Sequence, residues 1–289
     1  MSTKNLSPLI SAEELQQQIA ENQKLIILDS RCDLMNDEYG DTAYATSRIP
    51  NALRVDLGID LCTDITPETG RHPLKPRADL EALMQDLGIN DDSHIVIYDD
   101  NGGMFAIHLW WVLHWLGHEN VQVLEGGLKA WQKVGYELET IAPQVNQTQG
   151  NFIAKNSEFG TVTADDILED IISGKAQLCV VDARGEARYR GEVEPLDPVA
   201  GHIPNAINRP FELNLKEDGT FKDPETLKVE WMEFLDNQSG KMIIHQCGSG
   251  VSACHNIFAM YYAGLGVAKL YPGSWSEWCK NPTRPMITK

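Results

Sequence analysis

Met242-Ile243-Ile244-His245-Gln246-Cys247-Gly248-Ser249-Gly250-Val251-Ser252-Ala253 reads as a strand, a short glycine-bearing loop and the start of a helix. A short, mostly apolar run leads into a cysteine, and two glycines follow within three residues. The stretch Cys254–Ala263 then has helical spacing and stops at Gly264. In parallel α/β sheets, sites form beyond the carboxyl ends of strands, and Cys247 occupies that place. A second stretch has the same form: Ile95-Val96-Ile97-Tyr98 leads into Asp99-Asp100-Asn101-Gly102-Gly103.

This pairing belongs to a repeat that runs through the chain. Ser11-Ala12-Glu13-Glu14-Leu15 matches Thr163-Ala164-Asp165-Asp166-Ile167, and both read as helix N-caps with an acid three places on. Ile27-Leu28-Asp29-Ser30-Arg31 matches Val180-Val181-Asp182-Ala183-Arg184. Arg48-Ile49-Pro50-Asn51-Ala52 matches His202-Ile203-Pro204-Asn205-Ala206, and Gly126-Gly127-Leu128-Lys129-Ala130-Trp131 matches Gly273-Ser274-Trp275-Ser276-Glu277-Trp278. All pairs keep their order at one offset of about 150 residues, far longer than a solenoid period. The chain therefore reads as two copies of one domain, over 7–139 and 160–289. The polar stretch 140–159, with Pro143 and Gly150, reads as the linker.

Within each copy, apolar runs alternate with amphipathic ones. Leu25–Leu28, His94–Tyr98, Val121–Leu124, Leu178–Val181, Met242–Gln246 and Ala268–Leu270 are expected as strands. Ala78–Leu87, Phe105–Leu116 and Cys254–Ala263 are expected as helices. This alternation predicts an α/β fold, each copy a mostly parallel sheet with helices on both faces.

Composition narrows the partners. The 289 residues carry a formal net charge of −18. That argues against a nucleic-acid partner, because phosphate binding needs a basic face. No apolar run reaches membrane-spanning length, and Met1–Ser11 lacks the apolar core of a secretory signal, so no membrane partner and a cytoplasmic location are expected. The six cysteines, Cys32, Cys62, Cys179, Cys247, Cys254 and Cys279, form no C-x-x-C pair, which argues against structural zinc and thioredoxin-type redox chemistry. A disulfide framework fits poorly with their scattered spacing.

Cys247 is the cysteine whose context calls for chemistry. Gly248 and Gly250 permit positive φ, so Gly248, Ser249, Gly250, Val251 and Ser252 could turn successive N–H groups inward as an anion nest, reinforced by the helix N-terminus. A thiol there is expected to ionise readily, attack a sulfane sulfur and carry it as a persulfide. The plainer reading, a buried structural cysteine, suits the other five better. In the first copy, Asp99 stands at this position and cannot perform thiol chemistry, so that copy reads as silent. Two other chemistries fit less well. Gly248-x-Gly250-x-x-Ala253 matches a dinucleotide fingerprint, but no acid follows until Glu277. A cysteine phosphatase would need an arginine where Ala253 stands.

Taken together, Asp182-Ala183-Arg184, Gly201-His202-Ile203-Pro204-Asn205-Ala206, the Cys247 loop and Gly273-Ser274-Trp275-Ser276-Glu277-Trp278 resemble the two-domain rhodanese-type sulfurtransferases over nearly the whole chain. The loop Cys247-Gly248-Ser249-Gly250 is similar to that of the 3-mercaptopyruvate enzymes. Thiosulfate-preferring rhodaneses typically carry Cys-Arg-Lys-Gly instead. The resemblance implies a small anionic sulfur donor and a thiol acceptor such as thioredoxin, or cyanide, with no metal and no organic cofactor. It further implies that Ser249, His72 and Asp60 assist proton transfer, with Asp64 the neighbouring choice for the acid, and that Arg188 binds the donor carboxylate. Without the resemblance, His72 and Arg188 would read as solvated surface groups. Arg184, shared with the silent copy, is expected to be structural. The pattern is broken at one place: Glu194-Pro195-Leu196-Asp197 has no arginine where the mercaptopyruvate enzymes carry a second one, and a single guanidinium holds a carboxylate less well than two. A non-catalytic interaction module is the alternative class, and Cys247 argues against it. Cys254, two helical turns into the helix, is expected to face the core.

Overall fold

A computed structural model describes residues 7–141 and 148–288. The chain divides into two compact units. One holds the residues up to 62 together with 75–157. The other holds 63–74 together with the residues from 158 onward. The segment 63–74, part of the first copy by sequence, thus groups with the second unit.

The first unit contains β1 (Leu9–Ile10), β2 (Leu25–Asp29), β3 (Leu53–Arg54), β4 (His94–Tyr98) and β5 (Val121–Leu124). They form one parallel sheet in the order β1-β5-β4-β2-β3. The second unit contains β6 (Leu178–Asp182), β7 (Ile207–Asn208), β8 (Met242–Gln246) and β9 (Lys269–Leu270), parallel in the order β7-β6-β8-β9. Where the first unit has β1 at the edge, the second has an isolated bridge, Thr161 to Leu270.

Both faces of each sheet are covered, as the alternation predicts. All five residues of β4 are buried. Val96 and Tyr98 join a cluster with Leu15 and Trp131, from the helices Ala12–Glu21 and Gly127–Lys133. Successive strand side chains alternate in direction, so Ile95 and Ile97 face the opposite side. There the mostly apolar helix Met104–Trp115, polar only at His108 and His114, packs on β4 and β5. In the second unit, Val180 and Ile244 pack with Trp275 and Trp278.

The repeat is reproduced in local detail. Ser11 with Glu14 and Thr163 with Asp166 form reciprocal capping boxes. Asn51 and Asn205 both turn through positive φ, at 63° and 64°. Asp29 and Arg31 form a buried ion pair, and so do Asp182 and Arg184. The longer expected strands and helices appear within a residue or two of their expected limits. The two-residue strands β1, β3 and β7 were not foreseen, since two residues carry no periodicity.

Part of the expected linker, 142–147, lies outside the described residues. Residues 148–157 lie along the first unit. Gly150 N–H donates to Gln85 O at 2.8 Å, Phe152 N–H to Ile89 O at 3.2 Å and Lys155 N–H to Leu116 O at 2.7 Å. Phe152, an aromatic residue in a polar stretch, is buried and anchors this segment. Among the described residues no helix is long and apolar enough to cross a membrane.

Candidate active site

β8 lies between β6 and β9 and delivers Cys247 at its carboxyl end. The neighbouring strand end is tied in, because Ala183 N–H donates to Gln246 O at 2.8 Å. The loop then enters the helix Ala253–Tyr262, whose first eight residues are all buried. A site held between two paired strands and a buried helix has little freedom to shift.

The Cys247 side chain is almost fully enclosed. Gly250 N–H donates to its Sγ at 3.1 Å. Gly250 has φ 89°, the left-handed conformation that turns its amide toward the sulfur. Gly248 is glycine for a different reason from the expected one. Its φ is not positive, but a Cβ there would stand 2.9 Å from Arg71 Nη2 and 3.3 Å from Arg188 Nη1. Val251 and Ser252 carry the loop into the helix, their carbonyls accepting from the N–H groups of Cys254 and His255 at 3.2 Å.

A second loop closes over Cys247. Trp275 N–H donates to Cys247 O at 3.1 Å and Ser276 N–H to Gly248 O at 2.9 Å. Cys247 N–H donates to Ser274 Oγ at 3.1 Å, and that hydroxyl donates to Tyr271 O at 2.9 Å. Ser274 holds φ 54°, an uncommon conformation for a residue with a side chain. Its counterpart in the repeat is Gly127, at φ 58°, where a Cβ would come 2.2 Å from Asp99 O. The conformation is thus shared, and the second copy alone fills it with a hydroxyl. Sequence reasoning passed over Ser274. The signal was the change from Gly-Gly to Gly-Ser between the two copies.

The first copy shows what such a loop can hold. The Asp99 carboxylate accepts from four backbone N–H groups, of Asn101, Gly103, Phe105 and Ala106, at 2.9 to 3.1 Å. Burial pushes its pKa up, and the four amides oppose that shift. An anion built into the chain fills that nest.

Of the other expected residues, His72 and Ser249 come together. His72 Nδ1 lies 2.7 Å from Ser249 Oγ. His72 is on the segment 63–74, which is anchored within the second unit by Arg71 N–H on Ser276 Oγ at 3.0 Å and by Lys280 Nζ on Thr69 O at 2.7 Å. Asp60 belongs to the first unit. There it ends the short helix Leu57–Asp60 and accepts from Asp56 N–H at 2.7 Å, and burial pushes its pKa up. Asp64 is exposed on the segment 63–74.

Arg188 meets Glu194 at 2.7 Å and Asp197 at 3.3 Å. Arg184 is buried against Asp182 at 2.7 Å, also donates to Gly201 O at 2.8 Å, and lies over the Trp275 ring. Burial works against its charge, but Asp182 outweighs that and raises its pKa. Burial likewise opposes ionisation of Glu194, yet the hydrogen bond and charge of Arg188 hold its pKa below the usual carboxylate value. Arg190 is a surface group paired with Glu186 and Glu192. Cys254 is fully buried, its Sγ donating to Gly250 O at 3.4 Å, and burial drives its pKa far up.

The rhodanese-like domain model matches residues 11–134 and again 163–281. A Pseudomonas aeruginosa protein named "Probable 3-mercaptopyruvate sulfurtransferase" is 40% identical over 287 residues, covering 97% of this chain and 98% of its own. A rat protein named "Thiosulfate sulfurtransferase" is 35% identical over 240 residues, covering 81% of this chain and 78% of its own. Among solved structures, SseA from Escherichia coli, described as a 3-mercaptopyruvate sulfotransferase, superposes with a TM-score of 0.78 at 30% identity, covering 94% of this chain and 100% of that one. With two matched domains in tandem and relatives aligned along nearly its full length, the chain belongs to the rhodanese-like family and is a two-domain sulfurtransferase.

Proposed function

We propose that Cys247 carries sulfur from 3-mercaptopyruvate to a thiol such as thioredoxin, or to cyanide. The observation that carries this reading is the Cys247 sulfur held by the Gly250 amide, beside a backbone position faced by two guanidinium groups. The Cys247 thiolate attacks the donor sulfur. An S–S bond forms and the donor C–S bond breaks. The C–S electron pair remains on carbon as the enolate of pyruvate, which then takes up a proton. The acceptor thiolate next attacks the outer sulfur of the Cys247 persulfide, the S–S bond breaks, and the Cys247 thiolate returns. No net oxidation occurs, and the steps call for no metal and no organic cofactor. The nearly enclosed sulfur keeps the persulfide from bulk water.

The Ser249 hydroxyl and His72 imidazole, 2.7 Å apart, suit removal of the proton from the donor thiol. Asp60 enters this relay only through the family resemblance. Arg188 suits the donor carboxylate. Gly248, Val251 and Ser252 shape the loop that receives the donor. The first copy, closed by Asp99, is the silent one, and the second performs the transfer.

Thiosulfate is the second reading of the donor. Its support is the likeness to the rat thiosulfate sulfurtransferase. Steady-state kcat/KM for the two donors, measured side by side on the wild type and Cys247→Ser, tests the proposal. The expected result is a preference for 3-mercaptopyruvate and loss of turnover in the variant. A preference for thiosulfate overturns the donor assignment, and turnover surviving in Cys247→Ser overturns the carrier.

A further inference from the structure

The second unit has a groove of about 390 Å³ at the end of its sheet opposite Cys247. The groove lies at the amino ends of β6 and β8, where Leu178 pairs with Met242. Cys247 follows the carboxyl end of β8, so the groove has no part in sulfur transfer. The first copy fills the same place. Leu25 pairs with His94 as Leu178 pairs with Met242, and Val96 pairs with Gln122 as Ile244 pairs with Lys269. Met242 thus stands where the first copy has His94, and Lys269 where it has Gln122. His94 and Gln122 are both buried, with His94 Nε2 2.8 Å from Gln122 Oε1. Gln122 Nε2 donates to Ser7 O at 2.7 Å and Leu9 O at 3.1 Å, which closes the space against the edge strand. In the second copy, Met242 is 49% exposed and Lys269 turns away to Glu158 O at 2.8 Å. Two changed residues therefore leave a groove where the first copy has a plug.

Its walls carry two charges that the protein does not pair. The Asp170 carboxylate accepts from Gln177 N–H at 2.9 Å and Leu178 N–H at 3.3 Å, and among the described residues it meets no cation. Lys269 Nζ donates to a carbonyl, and among the described residues it meets no carboxylate. At the rim, Glu169 and Lys175 offset each other at 3.2 Å. Val162 and Leu178, which pack on the core, and Met242 supply apolar surface. Small-molecule sites have this size and this mixture of apolar wall and few polar groups. We infer that the groove binds a free α-amino acid with an apolar side chain. Its ammonium meets Asp170, its carboxylate meets Lys269, and its side chain lies over Leu178 and Met242. A ligand with a single charge would leave Asp170 or Lys269 unmatched, whereas a zwitterion answers both.

The test uses the full chain, labelled at its methionine methyl carbons, and follows the Met242 signal by NMR. That signal is identified by its loss in Met242→Leu. The probes are L-methionine, methylthiopropylamine, which lacks the carboxylate, and methylthiobutanoate, which lacks the ammonium. L-Methionine is expected to shift the Met242 signal saturably, and each singly charged analogue to bind about tenfold more weakly, through loss of one charged hydrogen bond. Lys269→Gln, which installs the first copy's residue, should weaken L-methionine about tenfold and leave the amine unchanged. No saturable shift of Met242 with L-methionine overturns the inference. So does an unchanged affinity in Lys269→Gln, or an equal fall there with the amine, in which case Lys269 serves only the fold. Methylthiobutanoate binding as tightly as L-methionine also overturns it, since the groove would then recognise a carboxylate alone.

Discussion

Ser274 keeps φ 54° although it carries a side chain, and its hydroxyl takes the Cys247 N–H. A left-handed residue with a Cβ costs about 1–2 kcal/mol relative to glycine. Both Ser274→Ala and Ser274→Gly remove the acceptor and leave a buried N–H unmet, but only Ala keeps the backbone cost. Urea unfolding is therefore expected to rank Ser274→Gly above Ser274→Ala by about 1 kcal/mol, with both variants slower in persulfide formation. An alanine variant as stable as the glycine one would remove the strain argument. Cys254 makes the opposite case. It is fully buried, and burial drives its pKa far above that of a free thiol, so Cys254→Ala is expected to retain donor turnover. At this scale, Cys247 was legible because the repeat set it against Asp99. Ser274 was not, because it acts through tertiary contact across two loops.

Each sheet has one strand that ends in an Asp-x-Arg pair. Asp182 at the end of β6 holds Arg184, and Arg184 reaches across to Gly201 O at 2.8 Å. Asp29 at the end of β2 holds Arg31, which donates to Ser47 O at 2.7 Å. These pairs fasten the loop after each strand to the turn that carries the repeated Ile-Pro-Asn. Removing Asp182 leaves Arg184 buried with only the 3.4 Å pair to Glu194, so Asp182→Ala is expected to destabilise the second unit by about 3 kcal/mol, read by denaturant unfolding. A loss below about 1 kcal/mol, the level of an exposed pair, would show that solvent reaches it. The longer strands were legible because an unbroken apolar run marks burial on both faces. The packing of 148–157 was not, because its polar composition hides the one anchor, Phe152.

Both units bury a neutral histidine. His114, packed against the tilted ring of Trp110 in the first, has its pKa pushed down to about 4 by burial, and His245 on β8, in the second, is pushed down to about 3. The unfolded chain protonates these residues near the ordinary value of 6.5. As pH falls below that value, the unfolded state binds protons that the folded state refuses, so stability falls with pH until the folded pKa is reached. Each histidine is expected to cost on the order of 2 kcal/mol by about pH 5. Denaturant unfolding near neutrality and near pH 5 should show this, with a shallower fall in His245→Leu. Equal falls in the wild type and His245→Leu would contradict it. The division into two copies was the most legible feature of the whole molecule, since five matched segments keep one order at nearly one offset. The exchange of residues 63–74 between units was not, because a repeat records ancestry by position and carries no sign of which unit a loop packs on. The most direct test of the account is peptide mass spectrometry after treatment with 3-mercaptopyruvate. One added sulfur atom is expected, confined to the peptide bearing Cys247, removed by a thiol acceptor and absent from Cys247→Ser. An added sulfur on any other cysteine, with Cys247 unmodified, would contradict it.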